Sequence, residues 1–392
     1  MSIFIISLLL LILLELLIKN FINRFKEIKW LITNKNTIKL FNKNKFNNFK
    51  KKNYNYELGW DKKKNRKNFD LIDGKKISYS IDQNGYRKSS YSKKINTITT
   101  FGDSYTFCRQ VKNSQTWQEL ISKNKNEFVS NYGVGNYGLD QSYLKFKKTK
   151  INKNSKIIIF SFVPETICRI QSAWKNYLEF GNIHGFKPFC ILKNNRLIIK
   201  KNPLKSFHKF NNLQNIINYT KRIDRFYKEK YLKYYIKFPY VISFFKNFKF
   251  NIKFFYLILK NGKIKNFKIL NRKIFPVIME NNIKLSHSLY KEKYSQKILE
   301  KLIYKINSNI NNQNKRCYFL IIPQLNDLKS SSRLNYQKFF DSLKIKYKIL
   351  DLTKDFLKIK DYQKFYINDK YGGHLNKKGN KFISRIIIKH LI

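Results

Sequence analysis

The feature that most restricts the fold of this chain is a series of short runs rich in β-branched and aromatic residues, separated by longer stretches of helical character. The runs are Ile95–Phe101, Phe128–Asn131, Ile157–Phe160, Cys317–Ile322 and Tyr347–Leu352. Such residues favour buried strands. Short apolar strands alternating with helices predict a parallel sheet covered on both faces. The expected fold class is therefore α/β: a three-layer α/β/α sandwich on a mostly parallel five-stranded sheet.

The first run ends in Thr100-Phe101-Gly102-Asp103-Ser104-Tyr105-Thr106-Phe107. Gly102-Asp103 breaks the strand, a serine follows at once, and the pattern becomes helical from Thr116 to Ile121. A serine on a tight turn at the carboxyl end of a strand suits nucleophilic chemistry. The backbone turns its hydroxyl outward, and nearby N–H groups can face a developing oxyanion. The same tripeptide also suits an ordinary Gly-Asp turn with a capping serine. What favours the chemical reading lies downstream, in Asn131-Tyr132-Gly133-Val134-Gly135-Asn136-Tyr137-Gly138 and Gly372-Gly373-His374-Leu375-Asn376-Lys377-Lys378-Gly379-Asn380.

With FGDSYTF, these stretches resemble the first, second and last blocks of the SGNH (GDSL-like) hydrolases, in the family's order. The resemblance covers roughly residues 55–175 and 315–392. It implies an SGNH/flavodoxin-like fold and a serine hydrolase acting on ester bonds, with Ser104 as nucleophile and His374 as base. The acid usual three residues before the histidine is Tyr371 here. Asp369 is the nearest upstream acid and takes the role, with Asp351 at a strand end in reserve. Oxyanion donors implied by the resemblance are the backbone N–H groups of Ser104 and Asn136. Asparagine stands where the family has a glycine, but it tolerates the left-handed region, and only the backbone must donate. The family's third block usually supplies an asparagine. This strand instead ends in Val163-Pro164-Glu165-Thr166, so the Thr166 side chain is the expected substitute. Ionised Glu165 cannot donate, and Asp103 reads as a turn residue. Arg169, Trp174 and Lys175 are expected near the entrance, where they suit a sugar or an anionic acyl acceptor; surface helix positions explain them equally well.

Ahead of the sheet, Ile3–Ile18 is almost wholly apolar, with Ser7 and Glu15 as interruptions. With Phe21 and Ile22 it reaches the length of a single membrane span. No basic residue precedes it and no small-residue cleavage site follows, so it reads as an uncleaved anchor. Lys19, Arg24, Lys26 and Lys29 all follow it, which favours a cytoplasmic C-terminal side. Lysine is so evenly spread through the chain that the side stays open. The expected organisation is an anchor over 1–25, a basic linker over 26–53, a β-rich lead-in over 54–94 and the hydrolase-like domain over 95–392. In the lead-in, Ile77–Asp82 with the Asn84-Gly85 turn reads as a hairpin. An insertion at about 190–312 contains an apolar-basic run, Phe238–Leu259, that suits either a lid or membrane-surface element or plain helical packing.

Lys and Arg number 81 against 24 Asp and Glu, a net charge of +57. Lys, Asn, Ile, Phe and Tyr are enriched together throughout, so the charge is discounted as a nucleic-acid signal. A nucleic-acid-binding chain would concentrate its basic residues in one patch. Cys108, Cys168, Cys190 and Cys317 form no CxxC pair, and His184, His208, His287 and His390 show no metal-like spacing. No metal or cofactor is therefore expected. Three readings of function compete. The first is an esterase or carbohydrate O-deacetylase (or an acyltransferase with a sugar acceptor). The second is a fold relative without robust hydrolysis serving surface-polysaccharide modification or assembly. The third is a basic nucleic-acid-binding protein, against which the even spread of lysine counts. The expected partners are a small-molecule or carbohydrate ester and, through the N-terminal helix, a membrane.

Overall fold

The computed structural model describes residues 2–24, 43–72, 75–179, 182–204, 213–233, 236–261, 267–367, 369, 371 and 373–391. The first helix, α1 (Ser2–Arg24), contains a stretch, Ile3–Ile22, long and apolar enough to cross a membrane. The expected linker, with its Lys26 and Lys29, lies outside the described residues up to position 42. From there it is a helix, α2 (Lys43–Lys52), rather than linker. Two aromatics three positions apart give this lysine-rich segment an apolar face. Phe46 is buried, and the Phe49 ring stacks on His184 with centroids 5.3 Å apart.

The lead-in has two antiparallel pairs, β1 (Tyr54–Asn55) with β2 (Gly59–Trp60), and β3 (Arg66–Ile72) with β4 (Lys75–Ile81). The expected hairpin around Asn84-Gly85 is thus only partly present. The partner of β4 is the upstream strand, and the Asn84-Gly85 turn leads to the single bridge Ile81↔Arg87. The Asp82 carboxylate holds that turn by accepting from the N–H groups of Asn84, Gly85 and Tyr86.

The central domain runs β5 (Asn96–Gly102), α3 (Ser104–Phe107), α4 (Trp117–Lys125), β6 (Phe128–Asn131), α5 (Leu139–Lys148), β7 (Ile157–Phe162) and α6 (Thr166–Arg169). The hairpin β8 (Phe189–Lys193) and β9 (Arg196–Lys200) follows, then α7 (Leu213–Ile223), α8 (Tyr240–Phe245), α9 (Phe248–Asn261), α10 (Phe267–Leu289) and α11 (Lys293–Asn311). The chain closes with β10 (Arg316–Ile321), α12 (Leu325–Lys329), α13 (Leu334–Leu343), β11 (Ile349–Asp351), α14 (Thr353–Leu357), β12 (Tyr366–Ile367), β13 (His374–Leu375) and α15 (Lys377–Leu391).

Five of these strands form one sheet in the order β11-β10-β7-β5-β6, with every neighbouring pair parallel. Alternate side chains go to opposite faces, as the two-residue period requires. Phe101, Phe160 and Phe319 face α5, α11 and α13; Ile98, Ile159 and Leu320 face α4, α14 and α15. The sheet is therefore the middle of three layers. The chain adds β6 on one side of β5 and then returns to add β7, β10 and β11 on the other. That reversal puts a topological switch point at the carboxyl ends of β5 and β7, where open α/β sheets bind ligands.

The expected insertion differs from a purely helical addition. It opens with the β8–β9 hairpin, and its last helix is part of the sandwich. Along α11, Ile298, Leu302, Ile303, Ile306 and Ile310 are fully buried, so this segment covers the sheet between β7 and β10.

Candidate active site

Strand β5 ends at Gly102, where a Cβ would lie 2.0 Å from both Ser161 O and Thr106 Oγ1, so only glycine fits. Asp103 then caps α3. Its Oδ1 accepts from Tyr105 N at 2.9 Å, and its Oδ2 accepts from Val163 N at 3.0 Å, past the end of β7. Asp103 thus ties two strand ends together and leaves Ser104 as the first residue of α3. At the first turn of a helix the N–H groups lack intrahelical partners. The Ser104 N–H is taken by no other group among the described residues.

His374 sits on β13, opposite Ile367 of β12. Its Nε2 lies 2.8 Å from Ser104 Oγ, and its Nδ1 lies 2.6 Å from Asp369 Oδ2. An ionised carboxylate only accepts, so Nδ1 carries the proton and Nε2 is left to accept from the serine hydroxyl. Asp369 Oδ1 accepts from Tyr371 N at 2.9 Å and Gly373 N at 3.2 Å, closing the loop around the carboxylate. Gly372, half of the glycine pair, lies outside the described residues. Gly373 has φ +84°, and a Cβ there would lie 2.6 Å from Leu325 Cβ. Burial opposes ionisation of Asp369, but His374 and the two N–H groups outweigh it and hold the carboxyl below its ordinary range. The reserve acid is elsewhere: Asp351 Oδ1 accepts from Thr353 N at 2.9 Å and from Thr353 Oγ1 at 2.6 Å, at the start of α14.

Two contacts on this relay have no counterpart in the sequence reasoning. The Tyr105 ring stacks on His374 with centroids 4.8 Å apart, and its hydroxyl donates to Gly373 O. Gln110 Nε2 donates to Asp369 Oδ2 at 3.4 Å. Both residues lie within six positions of Ser104, on the turn that carries it.

The turn after β6 lies against the serine: a Cβ on Gly135 would be 4.0 Å from Ser104 Cβ. Asn136 has φ +68°, the left-handed conformation, and its N–H is also untaken among the described residues. Trp60 on β2, in the Leu58-Gly59-Trp60 stretch of the lead-in expected to pack beside the catalytic fold, holds this turn. Its Nε1 donates to Gly135 O at 2.9 Å, and the Tyr137 hydroxyl donates back to Trp60 O at 2.5 Å. Gly135 O and the Asn136 N–H belong to one planar peptide, so fixing the first fixes the direction of the second.

Four expected site residues are not where a substrate could meet them. Thr166 is fully buried and its Oγ1 accepts from Leu139 N at 3.0 Å, bracing α5. Trp174 is fully buried, stacked on Phe186 with centroids 4.7 Å apart, its Nε1 donating to Ile183 O. Arg169 is 4% exposed and lies beneath the site. It reaches Glu165 Oε2 at 2.7 Å, Asp103 Oδ2 at 3.3 Å and Tyr137 O at 3.2 Å, bridging the turns after β5, β6 and β7. Burial opposes the Glu165 charge, but Arg169 and Lys175 overcome it and hold the carboxyl below its ordinary range. Lys175 is buried as well, paired with Glu179 at 2.6 Å. Trp174 and Lys175 read equally well as entrance or surface positions because an indole or a charge after a strand does not itself show what it will be buried against. The Cys108 thiol, expected to be packing, is buried, and burial pushes it up to about 12.

No protein-family model matches the chain, and no curated protein does. Among solved structures it is similar to a member of the lipolytic protein G-D-S-L family from Veillonella parvula DSM 2008, at 10% identity over 75% of this chain and 97% of that one, with a TM-score of 0.35. An alpha/beta hydrolase enzyme from the metagenome of Lake Arreo, Spain, is similar at 7% identity over 75% of this chain and 94% of that one, with a TM-score of 0.34. Likenesses this distant say nothing about what this chain acts on; that reading rests on the geometry above.

Proposed function

We propose that this chain is a membrane-tethered serine hydrolase or acyltransferase acting on an ester. One observation carries the reading: the unbroken relay from Ser104 Oγ to His374 Nε2 at 2.8 Å and from His374 Nδ1 to Asp369 Oδ2 at 2.6 Å, at the switch point of a parallel sheet. In this reading His374 takes the Ser104 proton as Oγ attacks the ester carbonyl. Asp369 keeps the imidazole in the needed tautomer and offsets its charge once protonated. The oxyanion of the tetrahedral intermediate is received by the N–H groups of Ser104 and Asn136. When the intermediate collapses, His374 returns the proton to the departing alcohol and an acyl-serine is left. Water or an acceptor hydroxyl, deprotonated by the same imidazole, then releases the acyl group.

The test is labelling of the purified full-length protein with a fluorophosphonate. The expected result is a covalent adduct located on Ser104 by peptide mass spectrometry, and none in Ser104→Ala. Absence of any adduct in the folded wild-type protein would refute serine activation and turn attention to the non-hydrolytic reading.

A further inference from the structure

Outside the site, α8 and α9 present an unusual surface. One face of the pair is packed: Phe254, Phe255 and Ile258 are buried against the carboxyl-terminal part of α1, with Phe21 stacked on Phe255 at 4.3 Å. The opposite face is apolar too, and open. Ile242, Phe245, Phe248, Ile252, Tyr256 and Leu259 are 44–63% exposed. Their spacing of three or four residues puts them on one stripe. Lys246, Lys249 and Lys260 each follow a member of that stripe by one position, so cations run along one flank; Lys253 does too, but its ammonium is paired with Glu280 at 2.7 Å. A contiguous exposed apolar stripe with a basic border is the signature of a helix lying in a membrane interface.

What covers the stripe follows from where α1 is held. Glu15, inside the apolar stretch of α1, accepts from Tyr240 N at 2.5 Å and Val241 N at 2.8 Å, the first N–H groups of α8. From Glu15 onward α1 is engaged with α8 and α9. Only Ile3–Leu14 projects free, and at about 1.5 Å per residue it reaches about 18 Å, well short of a hydrocarbon core of about 30 Å. With Ile3–Ile22 spanning, the start of α8 is carried below the membrane surface. We infer that α8 and α9 form an in-plane seat sunk into the lipid surface beside α1, with the stripe on acyl chains and the lysines on anionic headgroups. The inference rests on α1 spanning the bilayer, which belongs to the proposed function; it adds that the insertion enters the same leaflet. The first N–H groups of α8 then satisfy a carboxylate that would otherwise lie unpaired at that depth.

The test places single cysteines at exposed positions and labels them with an environment-sensitive fluorophore. The native cysteines are all buried, so background labelling is low. Leu9→Cys reports on the span, Phe245→Cys and Tyr256→Cys on the seat, and Lys354→Cys, exposed in α14, is the aqueous reference. The full-length protein is reconstituted in vesicles of phosphatidylcholine and phosphatidylglycerol containing a doxyl-labelled phosphatidylcholine quencher. The expected result is a blue-shifted emission and a quencher-dependent loss of intensity at positions 9, 245 and 256, and neither at 354. Quenching at 9 but water-like, unquenched emission at 245 and 256 overturns the seat while leaving the anchor. Blue-shifted emission at 245 and 256 without lipid quenching also overturns it, by showing that protein covers the stripe. Water-like emission at position 9 removes the anchor and the seat together.

Discussion

The hydroxyl of Ser104 acquires its character from two hydrogen bonds in series, and the second is the more vulnerable. Asp369→Asn keeps the size of the side chain but lets an amide N–H face the ring, which favours the tautomer whose Nε2 is protonated and cannot accept from Ser104. Turnover of an ester substrate should fall by about 10⁴-fold with KM little changed, the scale of a tautomer error in a serine triad. Asp351→Asn is the matched comparison, since its carboxylate is engaged with Thr353 and not with the ring. It should alter stability more than turnover. A larger loss of turnover from Asp351→Asn, with both proteins folded, would transfer the acid's role to that residue. Ser104 and His374 were legible because each sits in a short motif whose chemistry is local. Asp369 was reached only as the nearest acid before the histidine. Arg169 was misplaced as an entrance residue, although Glu165 four positions earlier was a visible partner for it. A charge on a short helix after a buried strand is best first tested against its i−4 neighbour.

Among the elements, the strands were the readable part. β5, β6, β7, β10 and β11 each fall within two residues of the runs that announced them, since β-branched and aromatic clusters have few other uses. β3 escaped notice because Arg66-Lys67-Asn68-Phe69-Asp70 has the composition of a loop, and pairing with β4 overrides that composition. α2, and the place of α11 on the sheet within a stretch expected to be a helical insertion, escaped for a related reason: lysine-rich stretches hide their apolar stripes until a partner surface exists. The lead-in is the element whose importance exceeds its size. Through Trp60 a two-residue strand holds the peptide whose N–H is the proposed oxyanion donor, and that partner is 75 positions away in sequence. Trp60→Phe keeps an aromatic ring against Tyr137 but removes the indole N–H. Losing one hydrogen bond of about 1 kcal/mol that acts on the transition state predicts a fall in kcat of roughly fivefold to tenfold with KM unchanged. An unchanged kcat, or a rise in KM alone, would mean the indole merely packs the lead-in and does not orient the donor.

For the whole molecule the contrast is between a surface overloaded with cations and an interior where charge is matched. Asp103, Glu165 and Glu179 face Arg169, Lys175 and Lys230 inside the protein, all of them nearly inaccessible to solvent. Lys230 is the member with the clearest pH signature. It donates to Leu178 O and to Asn282 Oδ1, and burial pulls its ammonium down to about 8. In the unfolded chain the group titrates near 10.4. Below about pH 8 both states hold the proton, and the cost of burying the charge is fully present. Between about 8 and 10.4 the folded state has released a proton that the unfolded state still binds, so this group makes stability rise with pH. The other titrating groups are common to wild type and variant and cancel in the comparison. Lys230→Met lacks the titration, so the stability gap between wild type and variant should move in favour of wild type by about 1 kcal/mol per pH unit across that window. Denaturant unfolding of both full-length proteins in detergent micelles at pH 7.5, 8.5 and 9.5 reads the gap directly. A gap that stays flat would show that Lys230 keeps its proton throughout, held by the carboxylates of Glu165 and Glu179 more strongly than burial expels it.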